Sequence, residues 1–253
     1  MPTAHTSIDT PATPLPTTAG ASTWAVTLPA LERPTKRYRI SDAVYEQLSE
    51  SIRNLKLPPG APISEPAIAS WLQVSRSPVR EAFTRLVDLG LITVIPQVGS
   101  HIAAISMREV EEAVFIRQAL ETSAFQRAIH AGVPDTTEIQ RLVDANREAA
   151  NAGDLEAFFN TDEQLHQNVF VLAGLPRLWD LVRGTKMQLD RLRRLNLATA
   201  IVNPTPVAEH QSLVDALNSR DEAAGVAVIA QHATRIFFTV EQHRTANPSY
   251  FAP

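Results

Sequence analysis

Residues 74–91 read VSRSPVREAFTRLVDLGL, and how this stretch is read decides the fold. Placed at 100° per residue, Val79, Ala82, Phe83 and Leu86 fall within an arc of about 100°, the apolar face of a helix. Arg76, Ser77, Arg80 and Thr84 lie opposite. Pro78 is tolerated because first-turn N–H groups have no intrahelical acceptor, and Ser75 takes the N-cap position. Two guanidinium groups and several hydroxyls therefore crowd a helix N-terminus whose dipole is already positive. A fold gains nothing from that arrangement, whereas a polyanion would be gripped by it. Arginine pairs bidentately with guanine, and hydroxyls and free N–H groups hold phosphates. Ser75, Arg76, Ser77, Arg80 and Thr84 are accordingly candidate DNA contacts; the plain alternative is a solvated helix face.

Upstream, Ser41-Asp42 open a helix with Val44, Leu48, Ile52 and Leu55 on one side, and LPPGAPI stops it. Ser64 caps a second helix with Glu65 and Pro66 in its first turn and Ile68, Ala69 and Leu72 as its apolar face. Downstream of Gly90, the β-prone runs LITVIP and HIAAIS are separated by QVGS, which predicts a hairpin with Gly99 at its tip. Three helices and a two-stranded hairpin over residues 36–105 describe a winged helix-turn-helix. Residues 1–35 hold six prolines among many Thr and Ala and read as a flexible tail. From Met107 the pattern turns wholly helical, with spans predicted at 107–131, 135–151, 154–173, 177–198, 205–218 and 221–244. AGVPD, NAGD, AGLP and NPTP provide the breaks. The fold class is thus mainly α: a winged helix-turn-helix, an antiparallel helical bundle over 106–245 and a C-terminal tail at 246–253.

The chain has 253 residues, enough for two modest cores, and no cysteine, which excludes a disulfide framework and thiolate metal sites. No run approaches the roughly 18 consecutive apolar residues of a membrane span, and no secretory signal opens the sequence. A cytoplasmic protein with no membrane partner is the expectation. Net charge is −4, unevenly spread: residues 36–105 carry eight basic and six acidic side chains, whereas 106 onward carries 14 and 19. A mildly basic unit joined to an acidic one suggests two different tasks.

In the bundle, Asp162 and His166 share a helix face with Phe159, Val169 and Phe170. His210 falls with Leu213, Val214 and Leu217, and His232 with Val228, Ile229 and Ile236. These are either satisfied core residues or four N/O ligands suited to Zn²⁺, Ni²⁺, Mn²⁺ or Fe²⁺. Arg117, between Val114 and Leu120, needs an anion. Glu121 at i+4 is one, and the carboxylate of a bound small molecule is another. Arg191 and Arg194 in QLDRLRRLNL are weaker candidates for meeting such a carboxylate, because a basic run is usually just solvated, and His5, His101, His130 and His243 take no site role. A metal-dependent enzyme is disfavoured by the absence of His-Glu-x-x-His. The only bases beside the ligands, Glu163 and Glu209, are expected to angle away from the inward face.

The run from Pro59 to Ser106 resembles the DNA-binding domain of GntR-type bacterial transcription regulators. Their Ser-Arg-Thr-Pro-Val-Arg-Glu-Ala signature appears as SRSPVREA at 75–82, followed by Leu86-x-x-x-Gly90-Leu91 and a glycine wing. The resemblance implies Arg76, Ser77 and Arg80 at base edges or phosphates and Gly99 near the minor groove. Pro66 and Val98 stand where many relatives carry a basic residue, leaving those auxiliary contacts weaker or supplied by Arg37, Arg39 or His101. Residues 106–244 are similar to the FCD ligand-binding domain of the FadR subfamily. Its metal-binding members use an Asp-x-x-x-His pair, a Glu-His step and a histidine on the final helix. Here these are Asp162 and His166 in DEQLH, His210 after Glu209, and His232, which lies 22 residues beyond His210; Leu165 stands where Phe is usual. The resemblance implies a divalent transition metal on Asp162, His166, His210 and His232, with Arg117 contacting a small carboxylate effector. It also implies a homodimer on an inverted-repeat DNA operator, with repression the commoner outcome. A metal-free effector pocket is the alternative.

Overall fold

The computed structural model describes residues 39–132 and 135–253. The proline-rich stretch 1–35 and Arg37 lie outside the described residues. The first unit opens with α1 (Ile40–Arg53), preceded by Arg39 in the cap position that Ser41 and Asp42 were expected to mark. Val44, Leu48 and Ile52 are fully buried, while Leu55 falls past the helix end with φ 57°. In α2 (Glu65–Leu72) the Ser64 hydroxyl accepts from Ala67 N at 3.3 Å, the capping that the sequence implies. α3 (Arg76–Asp88) buries Val79, Ala82, Phe83 and Leu86 against α1 and α2.

The sheet holds more than a hairpin. Alongside β2 (Ile92–Ile95) and β3 (Gly99–Ile102), a two-residue strand β1 (Pro62–Ile63) pairs with β3, giving the order β1-β3-β2, all antiparallel. A proline without an N–H fits an edge strand, so Pro62 hid β1 inside what reads as a helix stop. Gly99 is not at the hairpin tip: it opens the returning strand opposite Ile95, and residues 96–98 form the tip with Gln97 at φ 64°. At φ 127° Gly99 occupies backbone that a side chain rarely adopts.

The second unit contains α4 (Met107–His130), α5 (Thr137–Ala152), α6 (Leu155–Leu172), α7 (Leu178–Thr185), α8 (Met187–Leu195), α9 (Leu197–Ile201), α10 (Thr205–Ser219), α11 (Glu222–Thr234) and α12 (Val240–Ala246). Its main core gathers Phe125, Ile139, Val143, Leu165, Phe170, Val182, Val214 and Leu217. α4 and α11 approach closely because the Phe125 ring fills the space that a β-carbon at Gly225 would need. The mainly helical architecture agrees with expectation, but two of the predicted spans differ. The span 177–198 is divided at Lys186 and Asn196 into α7, α8 and the start of α9. At Lys186 the backbone leaves helical dihedrals, and its fully buried ammonium meets Glu163 and Asp190, each at 2.6 Å. The span 221–244 is interrupted by a 3₁₀ turn at Arg235–Phe238.

Residues 246–253 do not run free. Phe251 is buried beside Ile105 and Val110, and Ile105 N donates to Tyr250 O at 2.7 Å while Ala252 N donates to Ile105 O at 2.9 Å. The chain end thus seals the junction between the two units. Glu222–Ala246 matches a membrane span in length and composition, yet carries His232 and Arg235 and packs on α4 and α10.

Candidate DNA surface and metal centre

The N-terminal half of α3 faces outward. Ser75, Arg76, Ser77, Arg80 and Thr84 are all exposed, opposite the buried face. The Arg80 side chain is 71% exposed, with its Nε 3.3 Å from Glu65 Oε2. Ser75 stands at the cap position, but its hydroxyl makes no capping bond, contrary to expectation. The Thr84 hydroxyl donates to Arg80 O at 3.0 Å. Arg85 serves another end: it stacks 3.7 Å above the Tyr45 ring and pairs with Asp42 at 2.8 Å. The wing hairpin contacts α3 through β2 and leaves Val94, Ile95 and Val98 exposed toward its tip.

Inside the bundle, α6 contributes Asp162 and His166 one turn apart, α10 contributes His210, and α11 contributes His232. Their ligand atoms all lie within 4.8 Å of one another. His166 Nε2 is 3.2 Å from His232 Nε2, His210 Nε2 is 3.5 Å from Asp162 Oδ1, and His166 Nε2 is 3.8 Å from Asp162 Oδ2. Atoms bound at about 2.0–2.2 Å to one ion stand roughly 3–4.3 Å apart, so the spacing suits a shared cation.

The other ring nitrogen of each histidine is engaged. His166 Nδ1 faces Glu121 Oε2 at 3.1 Å, His210 Nδ1 faces Asn146 Oδ1 at 3.3 Å, and His232 Nδ1 faces Glu209 Oε2 at 3.0 Å. Asn146 donates its amide to Phe158 O and Thr161 Oγ1, which turns its carbonyl oxygen toward His210. Acceptors at all three Nδ1 atoms place the proton there and leave Nε2 as a bare lone pair, the tautomer that metal ligation needs. His210 Nε2 is buried with no hydrogen-bond partner among the described residues. The donor set therefore fits a divalent ion.

The electrostatics agree. Burial pushes the His166 and His210 imidazoles below their ordinary range, assisted at His166 by the Arg117 guanidinium, so both are held neutral. Burial alone would raise the Asp162 carboxyl, but the Arg193 guanidinium outweighs it and holds the group ionised. Neutral imidazoles beside a carboxylate are the protonation states that metal ligation demands.

Arg117 is buried as expected, and its Nε donates to Glu121 Oε1 at 2.7 Å. Its Nη2 is buried without a partner, so the ion pair satisfies only part of the guanidinium. A cavity of about 80 Å³ adjoins the cluster, lined by Arg117, Phe159, Leu189, Arg193, Arg235 and Ile236 among others. Glu209 departs from expectation. It turns inward, orients His232 and pairs with Arg235, so it is no free base. Glu163 is committed to Lys186 and Arg193. Sequence reasoning missed Asn146, Arg193 and Arg235, and saw Glu121 only as a partner for Arg117. Arg193, which grips Asp162, was the hardest to find because it belongs to a basic run.

A winged helix with an outward cationic face on its third helix, joined to a helical domain with a small cavity beside a buried His/Asp cluster, defines a class of DNA-binding gene regulators. Residues 40–102 match the bacterial regulatory proteins of the gntR family, and residues 112–235 match the FCD domain. The chain belongs to the GntR family and is a DNA-binding transcriptional regulator of its FCD-bearing branch; the family's members are regulators, not enzymes. It is 31% identical to the HTH-type transcriptional repressor RspR of Escherichia coli K12, over 84% of this chain and 94% of that one. It is 30% identical to a probable D-xylose utilization operon transcriptional repressor of Paenarthrobacter nicotinovorans, over 80% and 85% of the two chains. The solved structure of E. coli McbR/YncC shares the fold with a TM-score of 0.65 at 21% identity, over 81% of this chain and 98% of that one.

Proposed function

We propose that this regulator is a repressor whose hold on its operator is set by a small carboxylate bound beside a divalent ion. Asp162, His166, His210 and His232 would hold Zn²⁺, Ni²⁺, Mn²⁺ or Fe²⁺, and a bound ion would supply positive charge and Lewis acidity toward a ligand oxygen. Arg117 Nη2, lacking a partner, is the group placed to meet the other carboxylate oxygen. The observation that carries the reading is the convergence of three bare Nε2 atoms on Asp162, each ring fixed by its own acceptor. A metal-free pocket would leave His210 Nε2 buried and unsatisfied, at a cost of about 1–3 kcal/mol.

At the other end, Ser75, Arg76, Ser77, Arg80 and Thr84 contact bases and phosphates in the major groove, and Gly99 brings the wing backbone near the minor groove. A homodimer working in the cytoplasm presents two α3 helices to an inverted repeat. The effector acts by binding the DNA-competent and DNA-incompetent dimers with different strength. Two curated relatives named as repressors support the sign. The test is elemental analysis of protein as purified, with His210→Ala and His232→Ala beside it. A stoichiometric transition ion that both variants lose is the expected result; a wild type without metal, and unable to take up Zn²⁺, removes the site.

A further inference from the structure

α8 is a nine-residue helix bounded by the breaks at Lys186 and Asn196, and its side chains reach three separate parts of the molecule. Arg193 grips Asp162 at the ligand centre and also bonds Glu163 at 2.5 Å and Asp190 at 3.2 Å. Asp190, buried, accepts from Lys186 Nζ at 2.6 and 2.7 Å and lies 3.7 Å from Arg53 in the last turn of α1. Arg191, fully buried, donates to the carbonyl of Ala103 at 2.6 Å, where the chain leaves the wing. One short helix thus touches the proposed metal cluster, the first helix of the DNA-reading unit and the exit of its wing. The contacts to Arg53 and Ala103 lie away from the metal cluster and from the outward face of α3.

We propose that α8 is the lever that couples the metal centre to the DNA-reading unit, with Arg193 sensing the state of Asp162 and with Asp190 and Arg191 passing the change on. The inference rests on the metal-site reading above. The network sets three carboxylates, Asp162, Glu163 and Asp190, against three cations, Lys186, Arg193 and Arg53. It is largely shielded from water, so its charges are poorly screened and a change at one member is felt by the rest. Asp162, once its charge is shared with a divalent ion, holds Arg193 less tightly. Arg193 then gives more of its hydrogen bonding to Glu163 and Asp190, and Asp190 has less to offer Arg53. α1 packs directly on α3, so a looser hold on Arg53 is a change in how the recognition helix is braced. Arg191 ties the same displacement to the wing. The backbone break at Lys186 lets α8 shift without carrying α7 with it.

Coupling of this kind is reciprocal and measurable. A fluorescent duplex, selected from random sequence by the wild-type protein, is titrated with the full chain in excess Zn²⁺ and in chelator. Wild type is expected to change its duplex affinity about fivefold or more between the two conditions. Arg53→Gln, a substitution at a partly exposed helix end, is expected to bind Zn²⁺ within about twofold of wild type yet show a metal-linked change below about twofold; Arg53→Lys restores most of it. Full coupling in Arg53→Gln overturns the lever. If wild type takes up Zn²⁺ and its duplex affinity does not move, the lever fails while the metal site stands. If wild type takes up no Zn²⁺, both readings fall together.

Discussion

Glu121 Oε2 stands 3.1 Å from Nδ1 of His166, while Oε1 of the same carboxylate accepts from Nε of Arg117 at 2.7 Å. One buried side chain therefore aims a metal ligand and the arginine placed to meet an effector. Burial would raise this carboxyl, but Arg117 and His166 reverse the effect and keep it ionised. Glu121→Gln retains the volume and removes the charge. Zn²⁺ affinity, measured by competition with a chelator, is expected to fall by roughly 10–100-fold, the usual consequence of losing a ligand's orienting partner. An unchanged affinity would show that His166 needs no such support.

Arg80 and Arg85 sit on the same helix with opposite assignments. Arg80 is open to solvent, with Glu65 as its neighbour, whereas Arg85 is committed to Tyr45 and Asp42. Arg80→Ala is expected to cost about 1–3 kcal/mol of operator binding and to relax base preference at one position. Arg85→Ala is expected to shift thermal unfolding and leave base preference alone. Duplex titrations with single-base variants check both, and equal effects on preference would discredit the division of faces.

Most of the DNA-reading unit was legible because its signals are local. The 3.6-residue stripe of Val79, Ala82, Phe83 and Leu86 and the cap at Ser64 each lie within a few residues of what they specify. The four convergent ligands were legible by the same logic, since each histidine shares a face with apolar neighbours on its own helix. Contacts made across the fold left no such trace. Asn146 meets His210 from 64 residues away and Arg193 meets Asp162 from 31, and neither is marked by periodicity. Arg193 in particular looks like surface charge in a run of cations, and only its burial reveals otherwise. β1 and the docked Phe251 escaped for a related reason: two-residue strands and a single buried aromatic carry too little pattern to be read from the sequence.

Arg117 offers a test of the effector reading separate from the metal. Arg117→Lys keeps a cation for Glu121 but removes the guanidinium fork that presents Nη2 to the cavity. Thermal shift of the Zn²⁺-loaded protein against a panel of short-chain and hydroxylated carboxylates is the measurement. A stabilising acid found with wild type is expected to lose about 1.5–3 kcal/mol of affinity in the variant, the worth of a hydrogen bond to a charged group, while zinc uptake persists. An acid that binds both forms equally does not use this arginine.

The metal-free protein should be unusually sensitive to mild acid. Burial depresses the imidazoles of His166 and His210, and also that of His243, which faces Asn196 at 2.9 Å. The unfolded chain takes up protons at these positions below the ordinary value near 6.5, and the folded chain does not until a lower pH. Stability is therefore at its full value above about pH 6.5 and declines as pH falls from there toward the depressed values, because the unfolded state binds more protons throughout that window. The carboxylates act in a separate, more acidic range: Glu163, which burial would raise, is drawn down to about 2 by Lys186 and Arg193, so its contribution persists until its unfolded-state range near 4.5 is passed. Melting temperatures of chelated protein should stay level from about pH 8 to 7 and drop between about pH 6.5 and 5. His210→Ala should make that decline shallower by removing one of the depressed groups. A melting temperature that stays flat down to about pH 5 in chelator would mean that these imidazoles are not buried neutral in the folded chain.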